Sequence, residues 1–183
     1  MKLILFTACL LAAAAPPAKE PVMKAKSPVL EAAHYKVPAG WTEEFSTNQG
    51  DPQAVLSKGL HKIRVRFSGG EGSRYKNAAE FLAGFESRSR GGKLPEKTGL
   101  VKVSGSKVLL FRREKAVSLP PPDESGPASF APEEFCAVPA GKRFFVLSYL
   151  YEDSIPDPDY DGLKVWRTFL KGFGIEKAKR PAK

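Results

Sequence analysis

Cysteine, histidine and long apolar runs are scarce in this 183-residue chain, and each scarcity excludes something. The two cysteines, Cys9 and Cys136, are too few for a disulfide framework or a four-cysteine zinc site. The two histidines, His34 and His61, stand in no His-Glu-x-x-His pattern, and there is no Gly-x-Ser-x-Gly nucleophile elbow. No apolar stretch reaches the roughly 20 residues that a bilayer-spanning helix needs. The uncharged run Leu3–Ala15 follows Met1-Lys2 and ends in four alanines before Pro16-Pro17. It suits the apolar core of a secretory signal, and Ala12 and Ala14 match a small-x-small cleavage site with the cut after Ala14. Phe6-Thr7-Ala8-Cys9 offers the alternative of a lipoprotein anchored through Cys9. The apolar run continues past Cys9, which favours the plain secretory reading. After such a cut Cys136 has no cysteine to pair with and reads as a small buried apolar side chain.

What the chain does contain is a core and an uneven charge distribution. Apolar residues make up 42% and charged residues 27%, enough for one folded domain. The net charge is +9, but its placement says more than its sum. Residues 58–115 hold 15 basic and 5 acidic side chains, and residues 116–162 hold 2 basic and 9 acidic ones. The last 21 residues, 163–183, turn basic again with 7 against 1. For an exported chain of this charge the expected partners are anionic proteins, lipids or envelope polymers, and the compartment argues against nucleic acid.

The pattern along the chain gives an organisation. Ala15–Pro28 has four prolines and three lysines and reads as a tether, with a folded pattern from Val29 on. The expected division is a signal peptide over 1–14, a disordered linker over 15–32, a domain over 33–175 and a basic tail over 176–183. Within the domain, His34–Val37 reads as a short strand. Ala54–Ser57 and Leu60–Phe67 form a hairpin around Lys58-Gly59. Asn77-Ala78-Ala79-Glu80 has the spacing of a capping box, ahead of Phe81, Leu82 and Phe85 on one helical face, with Glu86–Arg90 spacing and a stop at Gly91-Gly92. Leu100–Val103 and Lys107–Arg112 read as strands around Ser104-Gly105-Ser106. Ala116–Glu134, with five prolines, reads as a long loop. Phe135–Val138 and Arg143–Tyr151 form a second hairpin, its latter arm apolar on both faces as in a central strand. Leu163, Trp166, Phe169, Leu170 and Phe173 make the apolar stripe of a last helix capped by Asp159 or Asp161.

This order of elements, with the Tyr35-Lys36-Val37-Pro38-Ala39-Gly40-Trp41 segment, Ala79-Glu80-Phe81-Leu82 and the closing Trp166, Phe169 and Phe173 helix, resembles the PsbP-like family over about residues 33–175. The resemblance implies an α+β fold, an antiparallel β-sheet flanked by helices in an α/β/α sandwich. It also implies a non-catalytic exported binding or assembly domain of the cell envelope, in the periplasm or outside the cell.

Three motifs bear on chemistry. Asp157, Asp159 and Asp161 before Gly162 match the first half of a calcium loop, but the twelfth position is Thr168 in place of glutamate and Lys164 adds a cation. Capping of the following helix explains them as well. Gly69-Gly70-Glu71-Gly72-Ser73 resembles a phosphate loop with Arg74 and Lys76 behind it, but lacks the Gly-Lys-Ser/Thr that would complete it. Trp41 and Trp166 read as core residues. The least ordinary polar feature is Lys62, Arg64 and Arg66 alternating with Ile63, Val65 and Phe67. A strand sends alternate side chains to opposite faces, so burying one set presents the three cations as a docking face for an anionic partner. The alternative function is a metal-dependent or hydrolytic enzyme using the acidic 116–162 segment. No catalytic set, cofactor motif or metal-ligand set is assigned.

The secretory reading predicts that mass spectrometry of the protein expressed in an exporting host finds a start near Ala15. An intact Met1 or a diacylated Cys9 contradicts it.

Overall fold

The structure, a computed structural model, describes residues 27–86, 95–118, 129–153 and 157–176. The signal-peptide segment, residues 15–26 of the linker, Arg90 with the Gly91-Gly92 stop, the proline triplet at 120–122 and the basic tail beyond Glu176 fall outside these residues.

In chain order the elements are α1 (Pro28–Ala32), β1 (Ala33–His34), β2 (Thr42–Asn48), β3 (Asp51–Lys58), β4 (His61–Ser68), α2 (Ala78–Glu86), β5 (Glu96–Val103), β6 (Ser106–Ser118), β7 (Ser129–Ala140), β8 (Arg143–Tyr151), α3 (Gly162–Gly172) and β9 (Gly174–Ile175). Seven strands form one sheet in the order β2-β3-β4-β8-β7-β6-β5, antiparallel at every pairing. The fold is therefore α+β and built on an antiparallel sheet, as expected. Two meanders, β2-β3-β4 and β5-β6-β7-β8, are joined where β4 pairs with β8, and β1 pairs separately with β9.

Strand β8 is central in both position and burial. Phe144 to Leu150 are all buried, which matches the two-sided apolar pattern. Phe145, Leu147 and Tyr149 join β4's Ile63, Val65 and Phe67 in the core that receives Trp166, Phe169, Leu170 and Phe173 from α3 and its end. The alternate residues Phe144 and Val146 join Phe111, Phe135, Ala137 and the α2 residue Phe81 in a second cluster. Alternation thus places α3 and α2 against opposite faces. Asn77 begins α2 as expected: its Oδ1 accepts from Glu80 N at 2.9 Å, while Glu80 Oε2 accepts from Lys76 N at 2.8 Å. Asp161, not Asp159, caps α3, accepting from Lys164 N at 2.9 Å.

Several expectations need correction. Residues 28–32 belong to the fold and not to a linker: Pro28 starts a short helix with Ser27 as its cap, and Val29 is fully buried. The expected His34–Val37 strand is only Ala33–His34. Strand β2 carries no periodic signal because it is an edge strand largely exposed on both faces, with Phe45 as its one apolar residue. The 116–134 loop is too long a reading, since β6 runs to Ser118 and β7 starts at Ser129. Pro132 is tolerated in β7 because it pairs with Glu114 just before the β7–β8 pairing begins at Glu133. Leu163 is 47% exposed. A helix turns about 100° per residue, which places Leu163 roughly 75° from the centre of the buried stripe.

Replacing Phe169 by alanine removes a ring packed between Tyr35, Trp166 and Phe173 and is expected to destabilise the domain by about 3–5 kcal/mol. A thermal melt at the wild-type temperature would show that α3 does not hold the sheet.

Candidate functional site

Lys62, Arg64 and Arg66 lie where alternation puts them, on the sheet face that α2 partly covers. They are not three solitary cations. Lys62 forms an ion pair with Glu152, which also lies 3.3 Å from Arg64. Arg64 also faces Glu133 and Arg66 faces Asp51, each across 3.8 Å. From the neighbouring β6, Arg113 pairs with the same Glu133 and Lys115 approaches it at 3.4 Å. Part of the basic segment 58–115 is thus folded against Glu133 and Glu152 of the acidic segment 116–162, and the sequence's two-signed charge is in part an internal complement.

The centre of this network is Glu133, whose side chain is only 3% exposed. Burial pushes its carboxyl up, but Arg113, Lys115 and a hydrogen bond from Ser148 outweigh burial and hold it below its ordinary range. Burial lowers the Lys115 ammonium and the Arg66 guanidinium, against the pull of Glu133 and of Asp51 respectively. Five cations (Lys62, Arg64, Arg66, Arg113 and Lys115) meet three carboxylates (Asp51, Glu133 and Glu152). Arg64 Nη1 and Arg66 Nε are buried yet hydrogen-bond to nothing among the described residues. Among the described residues the face therefore holds more cations than carboxylates.

The glycine loop after β4 is occupied by its own chain. Gly69 N and Gly70 N both donate to Ser73 Oγ at 2.8 Å, and that hydroxyl donates in turn to the buried Asp51. The backbone donors of Gly69, Gly70 and Ser73, which a phosphate cradle would draw on, are therefore already used. Asp157, Asp159 and Asp161 likewise do not converge: Asp157 accepts from Asp159 N and faces His61, while Asp161 caps α3. Among the described residues no group of three or more His, Cys, Asp and Glu side chains is placed to hold a metal ion. Cys136 is fully buried, and burial pushes its thiol up to about 12, which keeps it protonated at neutral pH.

A second candidate site lies on the α3 face, and no contiguous sequence motif marks it. The tight turn at Gly59-Leu60 sets Lys58 beside His61, and β8 sets Tyr151 beside His61 on its other side. His61 is buried. Its Nδ1 lies 2.9 Å from the Tyr149 hydroxyl and its Nε2 3.2 Å from Asp157 Oδ2. Tyr151 stacks on the imidazole at 4.5 Å and Tyr160 meets it at 4.8 Å. Tyr160 is anchored by Trp41, whose Nε1–H donates to its hydroxyl at 2.7 Å. Gly162 is needed beneath them, since a Cβ there would collide with the Tyr149 hydroxyl and lie 2.7 Å from His61 Nδ1. Lys58, Leu60, His61, Tyr151, Asp159 and Tyr160 are among the residues lining an open cleft of about 470 Å³. Its parts come from three distant segments, so only the β3–β4–β8 register brings them together. Lys58 and His61, three apart across the turn, were the one local trace of it.

The depressed Glu133 carboxyl predicts acid lability. A carboxyl held lower in the folded state than in the unfolded chain stabilises fully above the unfolded value, and that contribution is lost as pH falls through the folded one. Glu133→Gln should therefore destabilise the domain at neutral pH by about 3–5 kcal/mol, because three cations lose their buried partner. The gap from wild type should narrow in acid. Urea melts at neutral and acid pH check this, and equal midpoints at neutral pH would contradict it.

Compared with known protein families, curated proteins and solved structures, the chain has no match.

Proposed function

We propose that this chain is an exported, non-catalytic binding or assembly domain of the cell envelope, of the α/β/α sandwich kind that its sequence resembles. Its docking surface is the face carrying Lys62, Arg64 and Arg66. Support for the sandwich comes from helices packed against opposite faces of one antiparallel sheet. Support for export comes from the charge-free Leu3–Ala15 run. Among the described residues no helix is long and apolar enough to cross a membrane.

The observation that carries the reading is the surplus on the charged face: among the described residues, five cations lie against three carboxylates. A guanidinium fork matches a carboxylate or phosphate in geometry, and an anion brought by a partner would complete the set. Lys62, Arg113 and Lys115 keep about a third of their side-chain surface open at 30%, 33% and 33%, so the partner meets them first. Most of the local charge is compensated internally, so the attraction is modest and depends on salt.

The test is binding of the purified protein to phosphatidylglycerol vesicles and to polyglutamate, as separate arms, at low and high salt. Replacing Lys62, Arg64 and Arg66 together by glutamine should weaken binding at least several-fold while the fold persists by circular dichroism. The arm that responds identifies lipid or carboxylate polymer as the preferred anion. Unchanged binding by the folded triple variant would reduce the face to a structural ion network.

A further inference from the structure

The cleft around His61 is chemically unlike the charged face, and the proposed docking does not use it. Its walls include the rings of His61, Tyr151 and Tyr160, and Asp157 and Asp159 line it with carboxylates. One cation already sits in it: the Lys58 ammonium lies 4.0 Å from the centre of the Tyr160 ring. An ammonium over an aromatic face is held by the ring's quadrupole, most strongly where water is partly excluded. Tyr160 is set for this by two contacts, the Trp41 hydrogen bond and the His61 ring behind it. Tyr151 and Asp159 supply a second ring and a carboxylate to the same cleft. Asp157 stays ionised, held below the usual carboxylate range by the N–H of Asp159 and by His61. The Lys58 side chain is exposed and starts from the last residue of a strand beside a glycine turn, so it can leave the ring without disturbing the sheet.

We propose that this cleft is a binding site for an organic ammonium group, with Lys58 as the internal occupant that a ligand displaces. The ring faces of Tyr160 and Tyr151 receive the cation, and Asp159 and Asp157 supply the counter-charge. A volume of about 470 Å³ admits a ligand well beyond a bare ion, so the ammonium is one end of a larger molecule. A lysine side chain and an amino-alcohol headgroup both carry this chemistry.

Choline and N-acetyllysine amide serve as separate probes of the two sources. Dimethylbutanol, the uncharged carbon isostere of choline, is the control. Binding is read from Trp41 fluorescence, which senses Tyr160 through its hydrogen bond, and from the ring resonances of His61 and Tyr160. At least one ammonium probe should saturate the signal while dimethylbutanol does not. Lys58→Met keeps the aliphatic stem, removes the competing charge and should tighten that probe several-fold. Read from the His61 resonances, since both changes remove the Trp41 hydrogen bond, Tyr160→Phe should retain binding and Tyr160→Leu should lose it. Asp159→Asn, an exposed change that leaves the aromatic packing alone, should weaken binding. Equal binding of the uncharged isostere, no gain in Lys58→Met, or no saturable signal in either wild type or Lys58→Met would overturn the proposal.

Discussion

The pairing of β8 with β4 on one side and β7 on the other is the constraint on which the rest depends. It joins the two meanders, and the buried residues of β8 serve both faces of the sheet at once. Its register sets Arg64 opposite Ser148, Phe135 opposite the same Ser148, and Lys62 and Glu133 on either side of Leu150. Cations from β4 and the carboxylate from β7 thereby meet across one apolar strand. The same register puts Tyr151 beside His61 on the opposite face. Both candidate sites are consequences of one strand alignment. A slip by one residue would exchange every side chain between the faces and destroy both.

Consecutive acids on β7 show how this works. Glu133 points to the charged face and takes Arg64, Arg113 and Lys115, while Glu134 points to the α3 face and accepts from Trp166 Nε1 at 3.2 Å and Arg167 Nη2 at 3.0 Å. Neither could be lost cheaply, since an unpaired buried charge or indole N–H destabilises far more than an exposed one. The buried carboxylate gathers more positive charge than it neutralises, so the charged face is part of the fold, and its remaining charge is what the proposed docking would use.

Much of the fold was legible in the chain. The β3–β4 and β7–β8 hairpins, the start of α2 and the aromatic stripe of α3 all follow from local periodicity and capping, which are encoded within a few residues. Strand β2 was not legible because both its faces are wet. The inner parts of β6 and β7 were hidden by prolines that fall mostly between them. The site was legible in half. Alternation correctly turned Lys62, Arg64 and Arg66 to one face, but their carboxylate partners are fifteen or more residues away and become visible only with the register. The His61 cleft, assembled from β3–β4, β8 and the segment before α3, had no contiguous motif.

The central claim is that the cationic face of β4 and β6 receives a partner's anions. Nitrogen-edited NMR of the arginine Nε–Hε groups during a polyglutamate titration of the full protein tests it most directly. The account predicts that the Arg66 Nε–H and the Arg64 guanidinium resonances shift together and saturably, and that the shifts vanish at high salt. Saturable shifts confined to residues of the C-terminal tail, with Arg64 and Arg66 unmoved, would contradict it.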